Sequence, residues 1–313
     1  MAPLEMAVRR RVPVCMGALN LLLGAVASEP TGETDPMPRI EIDLPLSLKT
    51  ELEQEAARSG KDLGAHIRAI LADHLKAEVH TVFQISTSGA LVAGVYDREV
   101  SVGALLEHGD FGLGTFAGLD GEMVVLDGKA FQARAGGEVH EAPADAGSPF
   151  AVVTRFSADQ VGETEGVSSF DGLGAACDCF RSSNNIFHAV RLDGRFKRVK
   201  ARAVCPPKPG TLLADAAKTQ SEFTFEDVDG TLVGIWSPAY SAEFSVEGYH
   251  FHFLSDDRSQ GGHVLEVEAG PLKIAVENLT DFHLILPETE HFLKANLDQD
   301  VAATLSSVER SHS

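Results

Sequence analysis

One stretch in the C-terminal third of the chain restricts the fold more than any other. Residues 248–264 read GYHFHFLSDDRSQGGHV. Side chains two apart on a strand point to the same side, so a strand over residues 249–254 places His250 and His252 on one face and the aromatic residues on the other. The polar, glycine-rich residues 255–262 predict a reversal into a second strand that begins at His263.

A hairpin of this kind brings three imidazoles together. Zinc enzymes commonly use three protein ligands and leave the remaining coordination positions to water or substrate. The alternative is a structural cluster of half-buried histidines. The position of the third histidine after a Gly-Gly turn favours a metal site, and Asp256, Asp257 and Arg258 in that turn are candidate outer partners of the ligands.

The charge of the chain limits its partners. Its 313 residues include 26 Lys+Arg and 46 Asp+Glu, a formal charge of −20. This balance disfavours nucleic acid or an anionic membrane as the principal partner. The length suffices for two modest domains, and we expect no membrane-spanning segment.

Residues 1–38 are predicted to be a disordered leader, or a signal-like segment, followed by a linker. Three arginines at positions 9–11 precede an apolar run that ends in Ala-Val-Ala at 25–27, which resembles a secretory signal. Glu5, Pro13 and Asn20 interrupt that pattern. We therefore expect a cytoplasmic protein, with export as the alternative if residues 1–27 act as a signal peptide; a start at Met37 is a further alternative.

Residues 39–78 predict a small strand-helix-helix module. The strand covers 40–44, the first helix follows Pro45, and the second carries an apolar face from Leu63 onward. This pattern resembles the ribbon-helix-helix family of dimeric DNA-binding domains. The groove-facing strand positions include Glu41 and Asp43, and their carboxylates would meet the phosphates. We therefore expect a dimerising module rather than a DNA reader, and a homodimer.

The next hundred residues predict short strands separated by glycines. Strands are expected over 81–87 and 149–154, with a short helix over 101–107. The glycines between 109 and 128 fit tight strand meanders, and no long helix or Lys-Ser/Thr follows them as a phosphate loop requires. Residues 119–122 predict a hairpin turn with Glu122 at the start of the returning strand, where spacing alone favours a surface carboxylate.

Residues 184–204 predict two strands around an Asp-Gly turn at 193–194. Arg198, Lys200 and Arg202 would then share one strand face. A basic face in so acidic a protein is a candidate anion site.

Several unusual segments resemble the acetolactate decarboxylase family. They are residues 94–97, 108–123, 126–130, 149–151, 234–240 and 248–264, which all lie within 80–310. The resemblance implies a zinc lyase that converts (S)-2-acetolactate to (R)-acetoin and carbon dioxide. It also implies an α+β fold in which two β-rich subdomains with mixed and antiparallel sheets, residues 79–183 and 184–313, enclose the metal.

The resemblance also implies roles for individual residues. The family's functional positions fall on His250, His252 and His263 as zinc ligands, and on Thr115, Glu122, Arg202 and Glu309 as catalytic residues. Glu288 or Glu290 could be confused with Glu309, because the tail has little motif. A zinc ion would act as a Lewis acid, the arginine would hold the departing carboxylate, and one of the two glutamates would protonate the enediolate.

Two alternatives come from other protein classes. A cupin-like oxygenase or hydrolase also has His-x-His on a strand, but Asp256 stands where such enzymes have a glutamate a few residues later. The N-terminal helices suggest a metal-binding transcriptional regulator that is not an enzyme. An acetoin colour assay and a gel-shift assay on one preparation would separate the three.

Overall fold

The structure is a computed structural model that describes residues 42–58, 63–74, 80–298 and 300–309. The chain divides into two compact units, residues 1–77 and 78–313. The predicted leader over 1–38, including the signal-like residues 1–27, lies outside the described residues. Within those residues, no helix combines the length and apolar character needed to span a lipid bilayer.

The first unit contains two helices, α1 (Leu46–Arg58) and α2 (Leu63–His74), where the apolar spacing predicts them. A hydrogen bond of 3.3 Å between Nε2 of His66 and the carboxylate Oε2 of Glu55 joins the two helices. The predicted strand at 40–44 begins outside the described residues, and 42–45 adopt no strand. The likeness to a ribbon-helix-helix dimer therefore stays a prediction.

The second unit is rich in β structure. Its strands are β1 (Thr81–Ile85), β2 (Val100–Ser101), β3 (Phe111–Thr115), β4 (Glu122–Leu126), β5 (Lys129–Ala133), β6 (Val139–Glu141), β7 (Gly147–Ser148), β8 (Phe150–Thr154), β9 (Gln160–Glu163), β10 (Phe187–Ala203), β11 (Ser221–Ser237), β12 (Gly248–Ser255), β13 (Gly261–Ala269), β14 (Lys273–Leu279) and β15 (Asp281–Ile285). Its helices are α3 (Ser88–Val92), α4 (Val102–Leu106), α5 (Phe170–Asp178), α6 (Leu213–Ala217), α7 (Glu290–Lys294) and α8 (Val301–Glu309), with 3-10 turns at Ala117–Leu119 and Ala239–Ser241.

Two sheets carry most of these strands. The first has the order β15-β1-β8-β3-β4-β5-β6 and is mixed, because β1 and β15 run parallel and its other described pairs are antiparallel. The second has the antiparallel order β11-β12-β13-β10-β14-β9, and a further pairing of β11 with β10 closes four strands into a ring. This agrees with the predicted β-rich architecture. Strand β15 belongs to the first sheet although it follows residue 183, and β9 belongs to the second sheet although it precedes residue 184. The predicted subdomain boundary between residues 183 and 184 therefore stays a prediction.

The cores explain which way the histidine strand faces. One core lies between the two sheets and includes Val124 from β4 and Leu254 from β12. A second core fills the ring and includes Phe251 and Phe253. The alternation of β12 therefore turns its aromatic residues into the ring and its histidine face toward the first sheet, as the sequence predicts.

The prediction of two strands at residues 184–204 is wrong, because β10 is one strand of 17 residues. Gly194 lies opposite Gly230 of β11 within a continuous ladder. The Asp193 carboxylate accepts hydrogen bonds from Arg191 (2.8 Å) and Thr231 (2.7 Å) along and across the ladder instead of capping a turn. Strand pairing on both edges keeps this Asp-Gly pair extended, and a local turn signal does not include such long-range pairing.

The other local predictions agree with the structure. Helix α4 begins after Ser101, whose hydroxyl accepts a hydrogen bond from the backbone N–H of Ala104. Strand β8 starts at Phe150, and β1 ends at Ile85, two residues earlier than expected. It ends there because Thr87 caps α3 by accepting from the N–H of Ala90.

Candidate metal centre and active-site cavity

The three histidines converge in the second unit. Strands β12 and β13 pair so that His252 lies opposite His263. The Nε2 atom of His250 is 3.2 Å from Nε2 of His252 and 3.0 Å from Nδ1 of His263. One ligand atom from each ring lies within 4.8 Å of the others. In a tetrahedral zinc site with Zn–N bonds of about 2.0–2.1 Å, ligand nitrogens are separated by about 3.3 Å, so this geometry fits such an ion.

A backbone carbonyl orients the most buried of the three rings. Nδ1 of His252 lies 2.7 Å from the carbonyl oxygen of Met123 in β4. A carbonyl only accepts hydrogen bonds, so Nδ1 carries the proton and Nε2 presents its lone pair on the side of His250. This partner was not predicted from the sequence, because a main-chain carbonyl leaves no trace in the residue types.

The environment keeps His250 unprotonated. Burial, and secondarily the positive charge of Arg202, lowers the pKa of His250 to about 3. At neutral pH this imidazole is therefore uncharged, which is the form that binds a metal ion.

Glu122 lies beside the histidines, which corrects its interpretation as a surface carboxylate. Its side chain is buried, with Oε2 3.7 Å from Nε2 of His252. It opens β4 directly opposite Thr115 at the end of β3. The Thr115 hydroxyl donates to the carbonyl oxygen of Gly121 at 2.8 Å, which fixes the turn that precedes Glu122.

Arg202 completes the charged part of the site. It is 3 % exposed, lies opposite His263 in β13, and donates from Nη1 to Oε1 of Gln220 at 2.8 Å. Arg202, His263 and His252 therefore form a row across three adjacent strands, and directly opposite side chains share one sheet face. Gln220 was not predicted from the sequence.

The predicted basic face beyond Arg202 is neutralised by carboxylates. Arg198 donates to Glu266 at 3.0 Å, and Lys200 lies 3.0 Å from a carboxylate oxygen of Glu222. These pairs satisfy both cations across neighbouring strands. The candidate anion site of the sequence analysis is thus reduced to Arg202.

A cavity of about 50 Å³ joins these groups. Its polar lining includes Thr115, Glu122, Arg202, His250 and His263, together with Ser88. Its apolar lining includes residues from α3, α6 and α8. Five residues that are far apart in the sequence, all of them predicted site residues, therefore surround one small space.

The remaining predicted residues lie elsewhere or are not described in full. Glu309 is the last residue of α8, whose Leu305 and Val308 line the cavity, but its side chain lies outside the described residues. Glu288 and Glu290 are exposed and absent from the cavity lining, and Glu290 pairs with Lys294.

Asp256, Asp257 and Arg258 do not support the rings, contrary to expectation. They lie in the turn between β12 and β13, where Asp257 accepts from the hydroxyl of Ser255 at 2.7 Å. Arg258 lies 3.6 Å from a carboxylate oxygen of Asp127. These contacts stabilise the turn, and the outer partner of the histidines comes from the opposite sheet instead.

A histidine trio next to a buried carboxylate and guanidinium, enclosed between two sheets, defines the class of protein as a β-rich enzyme with a pocket of the kind that metal-dependent enzymes use. The family model for alpha-acetolactate decarboxylase matches residues 82–299. The chain belongs to this family, and it is therefore a decarboxylase-type lyase.

Individual relatives agree with the family match. The alpha-acetolactate decarboxylase of Methanosarcina mazei is 40% identical over 254 residues, which are 80% of this chain and 88% of the relative. That of Bacillus licheniformis is 36% identical over 230 residues, 73% of this chain and 91% of the relative. The crystal structure of alpha-acetolactate decarboxylase from Bacillus subtilis strain 168 superposes with a TM-score of 0.71 at 35% identity, covering 74% of this chain and 100% of that one.

Proposed function

We propose that this chain converts (S)-2-acetolactate to (R)-acetoin and carbon dioxide with a zinc ion bound by His250, His252 and His263. The observation that carries the proposal is the single cavity in which two of these histidines meet Arg202 and Glu122. Family membership favours this activity over a cupin-like oxygenase or a transcriptional regulator.

Three imidazoles with further coordination positions left open suit zinc among the common divalent metals. When bound, the ion supplies a Lewis acid that stabilises negative charge on the substrate's ketone and hydroxyl oxygens. The chain contributes the orientation of the ligands, because the carbonyl of Met123 holds the ring of His252 in one tautomer.

Arg202 would hold the carboxylate that leaves as carbon dioxide. Its guanidinium presents paired N–H donors that match the two oxygens of a carboxylate. The hydrogen bond to Gln220 and the burial of the side chain restrict its motion before substrate binds. Recognition of this charged group would place the bond that breaks next to the histidine centre.

Glu122 would deliver the proton. Loss of carbon dioxide leaves an electron pair on C2, which the neighbouring ketone accepts to form an enediolate. Protonation at C2 then gives acetoin, and a donor fixed on one side yields one enantiomer. Glu309 at the end of α8 is the second candidate donor, and Thr115 would act by holding the turn that positions Glu122.

The test is metal analysis and acetoin formation on the same purified full chain. We expect about one zinc ion per chain. Removal of the metal by a chelator should abolish acetoin formation from racemic acetolactate, and added zinc should restore it. Undiminished turnover by protein proven to be metal-free would overturn the zinc proposal, and metal-loaded protein that makes no acetoin would overturn the activity.

We further propose that residues 39–78 form a homodimer rather than a DNA-binding surface. Leu46 and Leu71 are 78% and 48% exposed, and Ala56 is the one buried residue among those described in α1. A helical pair this small rarely folds without burying its apolar face against a partner, and a second copy presents the same face. The exposed carboxylate of Asp43 argues against binding to phosphates.

Light scattering tests the dimer. Leu71→Glu should lower the measured mass of the full chain toward that of one chain, while Thr50→Glu on the exposed surface of α1 serves as the control. A dimer that survives both changes would place the interface elsewhere. A shifted DNA band in a gel assay would contradict the second half of the proposal.

A further inference from the structure

Two short helices, α6 and α8, contribute part of the apolar lining of the cavity. Leu213 of α6 and Leu305 and Val308 of α8 are each 5% exposed and belong to one cluster of packed side chains. They complete a space whose other side carries the charged and metal-binding residues. The cavity thus has a polar side and an apolar side.

This space is small. The cavity volume of about 50 Å³ is the space open to the centre of a water-sized sphere. One water molecule requires on the order of 10–15 Å³ of such space, so the cavity holds only a few waters. A substrate with five carbons and four oxygens would fill it completely. An atom added to the substrate on the side of these helices would therefore press against their side chains.

The chemistry of the substrate decides which part meets the apolar side. Its carboxylate, hydroxyl and ketone would be held by the guanidinium and the histidine centre, since burying them without partners is costly. The methyl groups make no hydrogen bonds and face the apolar side. The alkyl group on C2 can therefore lie against the side chains of α6 and α8.

We infer that Val308 and Leu305 set the upper size of the C2 alkyl group, so that the chain prefers the 2-methyl over the 2-ethyl member of the 2-hydroxy-3-keto acids. The inference rests on the proposed function, whose substrate range it specifies. One methylene in a tight apolar pocket changes kcat/KM by about 10- to 200-fold. The two residues differ in one respect, because Leu305 also borders a larger cleft of about 740 Å³ whereas Val308 borders only the cavity.

Val308→Ala is therefore the sharper variant. Relative to the unmodified holoenzyme, it should raise the ratio of kcat/KM for the 2-ethyl acid to that for the 2-methyl acid by about tenfold. Val308→Ile adds a methyl group at the same place and should lower the ratio. Leu305→Ala should also raise it, while connecting the cavity to the larger cleft.

Val301 provides the matched control. It is a valine on the same helix, 3% exposed and in the same cluster, but it does not line the cavity. Val301→Ala should cost a similar amount of stability and leave the ratio unchanged. An equal change in the Val301 and Val308 variants would show a general loosening of α8 and overturn the inference.

A binding measurement separates this inference from the proposed activity. The 2-alkyl-2,3-dihydroxy acids lack the ketone and cannot lose carbon dioxide by the proposed route, so calorimetry with the 2-methyl and 2-ethyl diols reports size selection alone. If Val308→Ala raises the affinity for the 2-ethyl diol relative to the 2-methyl diol, the result supports the size limit set by Val308, even if neither acid is decarboxylated. Unchanged selectivity in the Val308→Ala, Val308→Ile and Leu305→Ala variants overturns it, including when the 2-methyl acid is converted to acetoin.

Discussion

Glu122 shows how much the position of a single residue depends on the rest of the molecule. Its neighbours in the sequence form a glycine turn that suits a surface carboxylate. In the structure it is 5% exposed and faces the ring of His252 across the gap between the sheets. The role proposed for it depends on that position, because the same carboxyl group on the surface would have no substrate to protonate.

A substitution separates the two candidate proton donors. Glu122→Gln keeps the shape of the side chain and removes the acid, so the rate of acetoin formation should fall by about 10²–10⁴-fold or the product should lose optical purity. Chiral chromatography of the product, alongside the rate, measures both effects.

Glu309→Gln is measured in parallel, and Glu288→Gln is the control because Glu288 is exposed and outside the cavity lining. If Glu309→Gln alone changes rate and chirality, the donor is at the end of α8. Unchanged product in both variants would remove carboxyl protonation from the mechanism.

Strand β12 depends on glycines in the strand beside it. A Cβ atom on Gly234 of β11 would lie 2.1 Å from the ring of Phe251, which sits between the two histidines of β12. Gly234 therefore permits the close packing that turns Phe251 into the ring of strands and the histidines toward the first sheet.

Gly234→Ala should destabilise the protein by about 1–3 kcal/mol through overpacking. It should also weaken zinc binding, because the displaced ring belongs to the residue between His250 and His252. Thermal melting and metal titration measure the two effects. Gly270→Ala, where a Cβ would meet no atom within 4 Å, is the control. Equal behaviour of the two variants would contradict the packing argument.

Strand prediction succeeded where the signal was local. The alternation in 248–254 and the glycines after it identify β12, its turn and β13, because each side chain's direction follows from its place in one strand. The Asp-Gly pair of β10 gave a wrong prediction because its conformation is decided by β11 and β14, which come later in the chain.

At the scale of the whole molecule, a buried carboxyl group lies where the two sheets adjoin. Glu277 on β14 is fully buried, and its Oε1 accepts a hydrogen bond from the backbone N–H of His80 (3.2 Å), just before β1. Burial raises the pKa of Glu277 to about 7, the charges of Asp159 and Asp110 add to this, and the N–H groups of Ser157 and His80 partly offset it.

The sign of the pH effect follows from the raised pKa. Between about pH 4.5 and 7 the folded chain keeps a proton that the unfolded chain has released. This contribution to stability is complete below pH 4.5 and is lost as the pH rises through 7. Glu277→Gln removes the ionisation, so its stability relative to the unmodified protein should rise by roughly 3 kcal/mol from pH 4.5 to pH 8.

Urea unfolding of the Glu277→Gln variant and of the unmodified protein across this pH range measures the difference in their free energies of unfolding. The contributions of the other ionisable groups are the same in both proteins and cancel. Glu165→Gln, which removes a carboxyl group at an exposed position, is measured as the control. A pH-independent difference for Glu277→Gln would contradict the buried-acid interpretation.

The sequence by itself determined the strand-turn-strand unit that carries the histidines, the helices α1 and α2, and the residue types of the site, since these depend on periodicity and on neighbours along the chain. Only the tertiary structure decided that Glu122 is buried, that Met123 orients His252, that Gln220 holds Arg202, and that α8 closes the cavity. The reason is physical: burial, a carbonyl's direction and the distance between two sheets arise from contacts between residues far apart in sequence, and no local pattern encodes them.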